Sequence, residues 1–199
     1  MDMNLCFATD NQHKLSEIQA LLGKSFIIRS LEEIGCREEI PEIHPTIREN
    51  SLAKAEYVYS RYRVNCFADD TGLEVDALGG EPGVHSARYA GPGKNSNDNI
   101  TLLLKNLQGH SDRKARFLTI ITLILDGKVE YFEGMAEGTI IKEKRGVNGF
   151  GYDPIFIPLG YSRTFAEMLP EEKNRISHRA LASGKLVEYL RALNQKGNR

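Results

Sequence analysis

The sequence predicts a mixed α/β fold in which a β-sheet is flanked by helices, and three observations support this prediction. Short apolar or β-branched runs alternate with longer segments whose apolar residues recur every three or four positions, the spacing of an amphipathic helix. A long strand-like run, Ala115–Leu125, is followed by Asp126-Gly127, a dipeptide typical of two-residue hairpins. The order of strands and helices is neither a strict βαβ repeat nor all-β, which favours a mixed sheet.

Composition and charge narrow the class of protein. The chain has 199 residues, of which 41% are hydrophobic and 27% charged, and we treat residues 1–199 as a single domain that can contain two lobes. The formal net charge is −1, so no basic excess exists to neutralise a nucleic-acid polymer, and we expect none as a partner. A mononucleotide, which needs only a few local cations, remains compatible with this charge.

Cellular location follows from similar arguments. No stretch approaches the roughly 20 apolar residues of a membrane-spanning helix, and the N-terminus lacks the pattern of a signal peptide. The three cysteines are widely spaced and include no CxxC pair, which is typical of reduced thiols. We therefore expect a cytoplasmic protein without membrane association, with Cys6 and Cys66 buried and inert inside apolar runs.

The chain begins with a predicted strand at Asn4–Ala8, a polar loop at Thr9–Lys14 and a helix whose apolar face includes Leu15 and Ile18. Such a loop points backbone N–H groups beyond the carboxyl end of the strand, and the helix dipole favours an anion there. The loop lacks the glycines of a P-loop or a dinucleotide fingerprint. Phosphate binding and simple capping of the helix by a threonine or aspartate therefore remain alternatives.

The next segment ends in a well-defined helix start. Phe26–Ile28 is a predicted strand, and residues 32–45 form an acidic, proline-containing surface loop. Thr46 and Glu49 have the spacing of a capping box, which predicts a helix from there to about Tyr62. Glu42 precedes this helix and can reach a cleft, although a solvated loop is the ordinary explanation for any single glutamate here.

The most informative strand is predicted at Cys66–Val75, because it carries the adjacent carboxylates Asp69 and Asp70, followed by Thr71. Adjacent residues of a strand point to opposite faces, so one carboxylate can face a cleft and the other the far side. A carboxylate among apolar neighbours needs a cation, a donor or a proton, and Mg²⁺ prefers oxygen ligands. We interpret this strand as the catalytic centre of a magnesium-dependent hydrolase acting on a nucleotide.

The remaining predicted elements follow in chain order. They are a glycine-rich turn at 76–83, a helix starting at Ser96, the Ala115–Leu125 strand, a returning strand at Lys128–Phe132 continued by Gly134–Ile141, a glycine-rich aromatic loop at 146–154, a strand at Ile155–Ile157, a helix start at 170–175 and a final helix from near Ser177. Core packing is the ordinary explanation for Phe150, and a solvated helix flank for Lys173, His178 and Arg179.

Six segments, taken together, resemble the motifs of the inosine/xanthosine triphosphate pyrophosphatase family. They are Thr9–Lys14 (T/S-x-N-x-x-K), Arg48–Ala55 (E-N-A-x-x-K-A), Ala68–Val75 (A-D-D-S/T-G-L-x-V), Gly79–Tyr89 (G-G-x-P-G-x-x-S-A-R-Y/F), Gly149–Phe156 and Glu172–Arg179. No single segment is decisive, but six in the same order over nearly the whole chain are highly specific. Two departures are His13, where small residues are common in relatives, and Ser51, where alanine is usual.

The resemblance implies both a fold and a reaction. It implies an elongated, twisted mixed sheet with two lobes around a central substrate cleft, and a homodimer. The implied reaction is magnesium-dependent hydrolysis of ITP, dITP and XTP between the α and β phosphates, giving the monophosphate and pyrophosphate and cleansing the nucleotide pool. A related pyrophosphatase with another base preference and a non-catalytic nucleotide sensor remain alternatives.

Residue roles are carried over in the same way. Asp70 is implied as the general base and, with Glu42, as a ligand of Mg²⁺. Asp69, on the other side of the strand, is expected to be structural or to support the site from behind, with a nearby cation as its partner. Phe150 is implied to stack on the purine, and donors such as His178 and Arg179 to pair with the oxygen at its position 6. The implied substrate contacts are Thr9, Asp10, Asn11, Gln12, His13, Lys14, Thr71, Phe150, Gly151, Tyr152, Asp153, Lys173, His178 and Arg179.

Overall fold

The computed structural model describes residues 3–9, 11–23 and 26–197, which form seven strands and five α-helices joined by loops and short 3-10 helices. The elements are β1 (Met3–Phe7), α1 (Gln12–Leu22), β2 (Phe26–Arg29), α2 (Ile47–Tyr62), β3 (Cys66–Val75), β4 (Pro82–Gly83), α3 (Ser96–Asn106), β5 (Lys114–Leu125), β6 (Lys128–Ile140), β7 (Phe156–Pro158), α4 (Pro170–Ile176) and α5 (His178–Gly197).

One sheet contains all seven strands in the order β2-β1-β3-β5-β6-β7, with β4 paired to β3. Strand β1 runs parallel to β2 and β3, whereas β4 and β7 run antiparallel to β3 and β6. The Asp126-Gly127 turn has φ values of 50° and 78°, the left-handed backbone that a two-residue hairpin requires. The predicted mixed α/β architecture is therefore confirmed.

The chain divides into two compact units. The first unit comprises Met1–Asp70, Ile120–Glu133 and Ala182–Arg199, and the second comprises Thr71–Thr119 and Gly134–Leu181. Each unit has its own hydrophobic core, as expected for independently packed layers of secondary structure.

In the first unit, helices cover both faces of the parallel strands. Phe7 and Phe67 stack with ring centroids 4.5 Å apart in a core that includes residues of α1 and α5. Cys6, Cys66 and Ala68, which alternate with them along β1 and β3, lie in a second core with residues of α2. The two faces of β3 are therefore buried by different helices, because successive side chains of a strand point in opposite directions.

The core of the second unit is built around three phenylalanines. The ring of Phe117 lies 4.7 Å from that of Phe156 and 6.2 Å from that of Phe165, measured between centroids. Strand β7 approaches β6 so closely that a Cβ atom added at Gly138 would lie 2.3 Å from the carbonyl oxygen of Ile157. Glycine is required at this position because any side chain would displace the partner strand.

The largest differences from the predicted elements concern α1 and β6. Helix α1 begins at Gln12 rather than after Lys14, because the Asn11 side chain accepts a hydrogen bond from the Lys14 N–H at 3.3 Å and caps the helix. Strand β6 is one continuous strand of 13 residues rather than two pieces, because pairing within the sheet outweighs the weak strand propensity of its glycines.

The state of the cysteines and the apolarity of the helices bear on two further predictions. Cys6, Cys36 and Cys66 are free and buried, which confirms the prediction for Cys6 and Cys66. Within the described ranges, none of the helices combines the length and apolarity needed to cross a lipid bilayer.

Candidate active site

Asp69 and Asp70 bind lysines from different helices of the first unit. The Lys14 ammonium of α1 donates to both carboxylate oxygens of Asp69 at 2.8 Å, and the Asp69 residue is only 2% exposed. Asp70 is paired instead with Lys54 of α2, at 3.4 Å. The prediction that the two carboxylates face opposite sides of β3, with Asp69 pairing a cation, is confirmed.

Lys54 is the centre of the group on the α2 face. Its ammonium donates to Glu42 Oε1 at 2.7 Å and to the backbone carbonyl of Asp69 at 2.6 Å, in addition to its contact with Asp70. Glu42 comes from the loop before α2, so loop, helix and strand converge on one buried ammonium group. We call Glu42, Lys54 and Asp70 the carboxylate–lysine cluster.

Burial dominates the protonation behaviour of Asp70. Desolvation raises the pKa of the Asp70 carboxyl to about 6, opposed by Lys54 and reinforced by Glu42 and Asp69. Burial on its own would lower the pKa of Lys54, but the three surrounding carboxylates raise it above its ordinary value. Lys54 therefore remains charged at neutral pH, while Asp70 is a stronger base than an ordinary aspartate.

The chemistry of this cluster is compatible with Mg²⁺. Among the residues that the structure describes, no group of three or more His, Cys, Asp or Glu side chains has the arrangement of an all-protein metal cage. Magnesium does not need such a cage, because it is commonly held by one or two carboxylates together with water and substrate phosphates. Glu42 and Asp70 both lie against the Lys54 ammonium, so two carboxylates already converge on one positive charge.

Side-chain to backbone hydrogen bonding orders the described part of the predicted phosphate-binding loop. The Thr9 hydroxyl accepts a hydrogen bond from the Asn11 N–H at 3.2 Å, which turns the chain from β1 into α1. Gln12 and His13 contribute to the first turn of α1, but their side chains lie outside the described part of the structure, as does Asp10 as a whole. Lys14 lies in that same turn and is already bound to Asp69.

In the second unit, Thr71 continues β3, and its hydroxyl hydrogen-bonds that of Thr119 on β5 at 2.8 Å. The neighbouring turn is organised by Ser86, whose hydroxyl donates to the Gly83 carbonyl at 2.6 Å and accepts from the Leu73 N–H at 2.8 Å. Sequence reasoning gave Ser86 no role beyond its motif. These contacts fix the backbone of β3 beyond Asp70 and the turn that packs beside it.

The loop at 149–153 is held by a buried carboxylate. Asp153 Oδ2 accepts from the Phe150 N–H at 2.9 Å and from the Lys173 ammonium at 2.5 Å. Gly149 has φ of 76°, and a Cβ atom there would lie 2.0 Å from Asp153 Oδ2, so only glycine permits this close approach. The Asp153 side chain is thus engaged in holding the loop and Lys173 together.

Phe150 is exposed rather than part of the core. Its residue is 62% accessible, and the Lys173 ammonium and Arg179 guanidinium lie 5.2 and 5.6 Å from its ring centroid. Both distances are within the range of cation–π attraction. An exposed aromatic ring with two cations beside it has the character of a platform for a flat, polar ring. We call Phe150, Lys173 and Arg179 the aromatic–cation cluster.

Tyr152 and His178, which were both predicted to contact the substrate, have buried side chains. The Tyr152 hydroxyl donates to the Ser86 carbonyl at 2.9 Å, and burial raises the pKa of this phenol above its ordinary value. His178 is buried, and its ring stacks on Phe117 with centroids 4.6 Å apart. Gly151, between Phe150 and Tyr152, has φ of 63° and allows the loop to reverse. Tyr152 therefore anchors the loop through its side chain.

Lys54 is a member of the candidate site that the sequence did not reveal. It occurs within an amphipathic helix, where a lysine is ordinarily a solvated surface residue, and the residues between Leu52 and Val58 gave no contrary signal. Its position within the Arg48–Ala55 motif was the feature of the sequence that could have indicated a role in the site. Burial and three oxygen contacts are visible only when the loop and β3 are placed next to α2.

Comparisons with known proteins find relatives of similar sequence and a solved structure of similar fold. A dITP/XTP pyrophosphatase of Flavobacterium johnsoniae is 53% identical over 190 residues, covering 96% of this chain and 99% of the relative. One from Porphyromonas gingivalis is 55% identical over 187 residues, covering 94% and 96%. A solved structure of a HAM1 protein from Coxiella burnetii superposes with a TM-score of 0.91 at 37% identity, covering 96% and 99%.

The family model points the same way as the individual relatives. It is described as the Ham1 family and matches residues 5–189, which include all six motif segments and the residues of both clusters. With a match of this length, and relatives that are more than half identical along almost their whole length, the chain belongs to the Ham1 family.

Proposed function

We propose that this protein hydrolyses deaminated purine nucleoside triphosphates, namely ITP, dITP and XTP, to the monophosphate and pyrophosphate. The observation that carries the proposal is the buried Asp70 carboxylate held beside Glu42 and the Lys54 ammonium. The substrate class is supported by the names of the similar proteins, dITP/XTP pyrophosphatases. Removal of such nucleotides before polymerisation is the corresponding role in the cell.

Asp70 acts as the general base. Its carboxylate accepts a proton from the attacking water while the bond between the α and β phosphates breaks and pyrophosphate leaves. Its pKa of about 6 suits this role, because a base is most effective when its pKa lies near the working pH. Lys54 holds the carboxylate in place and, together with Lys14, adds positive charge to a site that must accept a triphosphate.

Glu42 and Asp70 are the residues that would hold Mg²⁺. When bound there, the ion neutralises phosphate charge and lowers the pKa of coordinated water. Lys54, which both carboxylates contact, keeps their oxygens close together. The metal requirement is tested by assaying the protein after exhaustive chelation and again after restoring Mg²⁺; full activity without added metal would contradict it.

The aromatic–cation cluster binds the base. Phe150 offers one face of its ring to the purine, and Arg179 and Lys173 supply donors suited to a carbonyl oxygen. Hypoxanthine and xanthine carry an oxygen at position 6, where adenine carries an amino group that such donors repel. A site built from donors can therefore reject adenine, because its amino group offers those donors no acceptor.

A panel of triphosphates tests the substrate class directly. Pyrophosphate release is measured with ITP, dITP, XTP, ATP, GTP and dTTP at equal concentrations with excess Mg²⁺. We expect the three deaminated purines to have the highest kcat/KM. Equal rates on dTTP and ITP would identify a pyrophosphatase of different base preference, and binding without pyrophosphate release would identify a nucleotide sensor.

Replacing Asp70 tests the mechanism. Asp70→Asn keeps the shape of the side chain but removes its basicity, so we expect turnover to fall by about 10²–10⁴-fold, the usual contribution of a general base. Thermal unfolding should show that the variant is folded. Asp112→Asn, an exposed carboxylate remote in sequence from the motifs, is the control and should be unaffected. Near-normal turnover in Asp70→Asn would remove Asp70 from this role.

We further propose a homodimer in the cytoplasm. The cytoplasm is where nucleotide pools supply polymerases, and three free cysteines suit a reducing compartment. Light scattering coupled to size-exclusion chromatography should give twice the mass of one chain. A monomer mass at micromolar concentration would contradict the dimer and leave the catalytic proposal intact.

A further inference from the structure

Asn50 is buried on α2 and binds both backbone groups of one loop residue. Its side-chain oxygen accepts from the His44 N–H at 2.9 Å, and its side-chain nitrogen donates to the His44 carbonyl at 3.2 Å. Asn50 is 0% exposed, whereas His44 lies on the surface. A carboxamide is one of the few side chains that can satisfy a donor and an acceptor at the same time, which aspartate cannot do.

The loop that Asn50 holds is the one that carries Glu42. Residues 41–46 have no regular secondary structure, and they are exposed except for the half-buried Glu42. Asn50 fixes the backbone at His44, and Lys54, one helical turn further along α2, binds the Glu42 carboxylate at 2.7 Å. Two residues on one face of α2 therefore hold this loop at two points.

From this arrangement we propose that Asn50 is a positioning residue, which orders the loop so that the Glu42 carboxylate meets Lys54 and Asp70. It acts through Glu42 and contacts neither substrate nor metal. The proposal rests on the proposed function for its kinetic consequence, but the structural link between Asn50 and Glu42 can be tested without any substrate. Residues that support metal ligands from behind commonly change metal affinity by about 10–100-fold when they are replaced.

The chain supplies a matched control in Asn99. Asn99 occupies the equivalent position of α3, with its N–H bound to the carbonyl of the N-cap residue, as in Asn50. It is also buried, accepts from the Ala90 N–H at 2.7 Å and donates to the Ala87 carbonyl at 2.9 Å. Asn50→Ala and Asn99→Ala therefore remove the same kind of contact from two different loops.

The kinetic test compares Asn50→Ala, Asn99→Ala, Glu42→Gln and the double variant Asn50→Ala/Glu42→Gln. We expect Asn50→Ala to raise the Mg²⁺ concentration needed for half-maximal activity by about tenfold. Asn99→Ala should leave this concentration unchanged. In the Glu42→Gln background, adding Asn50→Ala should have little further effect, because the carboxylate that Asn50 positions is already gone. Additive effects in the double variant, or an equal shift in Asn99→Ala, would overturn the proposal.

Two measurements without substrate keep the test independent of the enzymatic proposal. Hydrogen exchange should show the His44 N–H protected in the wild type and unprotected in Asn50→Ala. The loss of Tm in the double variant should be smaller than the sum of the two single losses, because both remove the same loop attachment. Unchanged His44 exchange or strictly additive Tm losses would refute the positioning role. If these results hold while the wild type lacks activity, only the proposed function fails.

Discussion

At the scale of single residues, Lys14 pairs with Asp69 and is also proposed to bind phosphate, and a single variant cannot separate these two roles. It binds the buried Asp69 through two contacts of 2.8 Å, and it lies in the first turn of α1, where a phosphate is expected. Removing it therefore lowers stability in addition to any effect on substrate binding. Buried ion pairs are costly to break on one side, because the remaining charge loses its partner.

A double variant separates these two roles. Lys14→Met should lower the free energy of unfolding by about 2–4 kcal/mol, because Asp69 loses its lysine. Lys14→Met/Asp69→Asn should recover part of that loss, since the buried group is then neutral. Chemical denaturation measures both. If Lys14 also binds phosphate, kcat/KM stays low in the double variant; recovered activity would restrict Lys14 to its role with Asp69.

The exposed ring of Phe150 is the main support for base binding, and replacing this single residue tests it. Phe150→Ala removes the stacking surface, which is worth about 1–3 kcal/mol per base, so KM for ITP should rise by about 5–150-fold. The value of kcat should change little, because the ring is not part of the chemical step. Leu159→Ala, another exposed apolar residue, is the control and should leave KM unchanged. An unaltered KM in Phe150→Ala would detach this ring from the base.

At the scale of elements, the attachment of α2 to the sheet includes a buried hydroxyl. Ser51 donates to the Ala68 carbonyl of β3 at 3.0 Å and hydrogen-bonds the Thr122 hydroxyl of β5 at 2.8 Å. Alanine is usual at this position of the motif, so the serine was expected to alter the packing of the helix only slightly. The structure shows that it ties the helix to the strand that carries Asp69 and Asp70.

Ser51→Ala should therefore cost about 1 kcal/mol of unfolding free energy, the net value of a typical buried hydrogen bond. Ser60→Ala is the matched control on the same helix, because Ser60 is exposed and its hydroxyl donates within the helix, to the Glu56 and Tyr57 carbonyls. Its effect should stay within about 0.5 kcal/mol. Denaturant unfolding compares the two, and equal effects would show that the Ser51 contacts add nothing.

The elements also show which features a sequence can reveal. Helix α2, strand β3 and the hairpin after Leu125 were predictable because capping residues, apolar runs and Asp126-Gly127 act locally. The start of α1 was misplaced, since Asn11 caps it while threonine and aspartate were the expected caps. The roles of Lys54 and Asn50 were hidden, because their partners lie in the preceding loop and in β3.

At the scale of the whole molecule, the buried thiols make stability depend on alkaline pH. Burial raises the pKa of Cys6 and of Cys66 from 9.0 to about 12. Above pH 9 the unfolded chain therefore loses thiol protons that the folded chain retains, which favours unfolding. The stabilising contribution is complete below pH 9 and is lost as pH rises towards 12.

The expected loss approaches about 1.4 kcal/mol per thiol for each pH unit above 9. Denaturant unfolding at pH 7.5 and pH 10 should show this fall in the wild type and a smaller fall in Cys6→Ala/Cys66→Ala. Comparing pH slopes removes the separate cost of truncating two buried side chains. Identical slopes in both proteins would mean that these thiols do not titrate differently on unfolding.

The exposed Phe150 ring has a practical consequence for spectroscopy. The sequence contains no tryptophan, so the natural protein has no indole fluorescence. Phe150→Trp would introduce a single indole at the position where a purine is proposed to stack, beside the charged ends of Lys173 and Arg179. Quenching on nucleotide addition could then be followed in real time, giving association rates that steady-state turnover conceals.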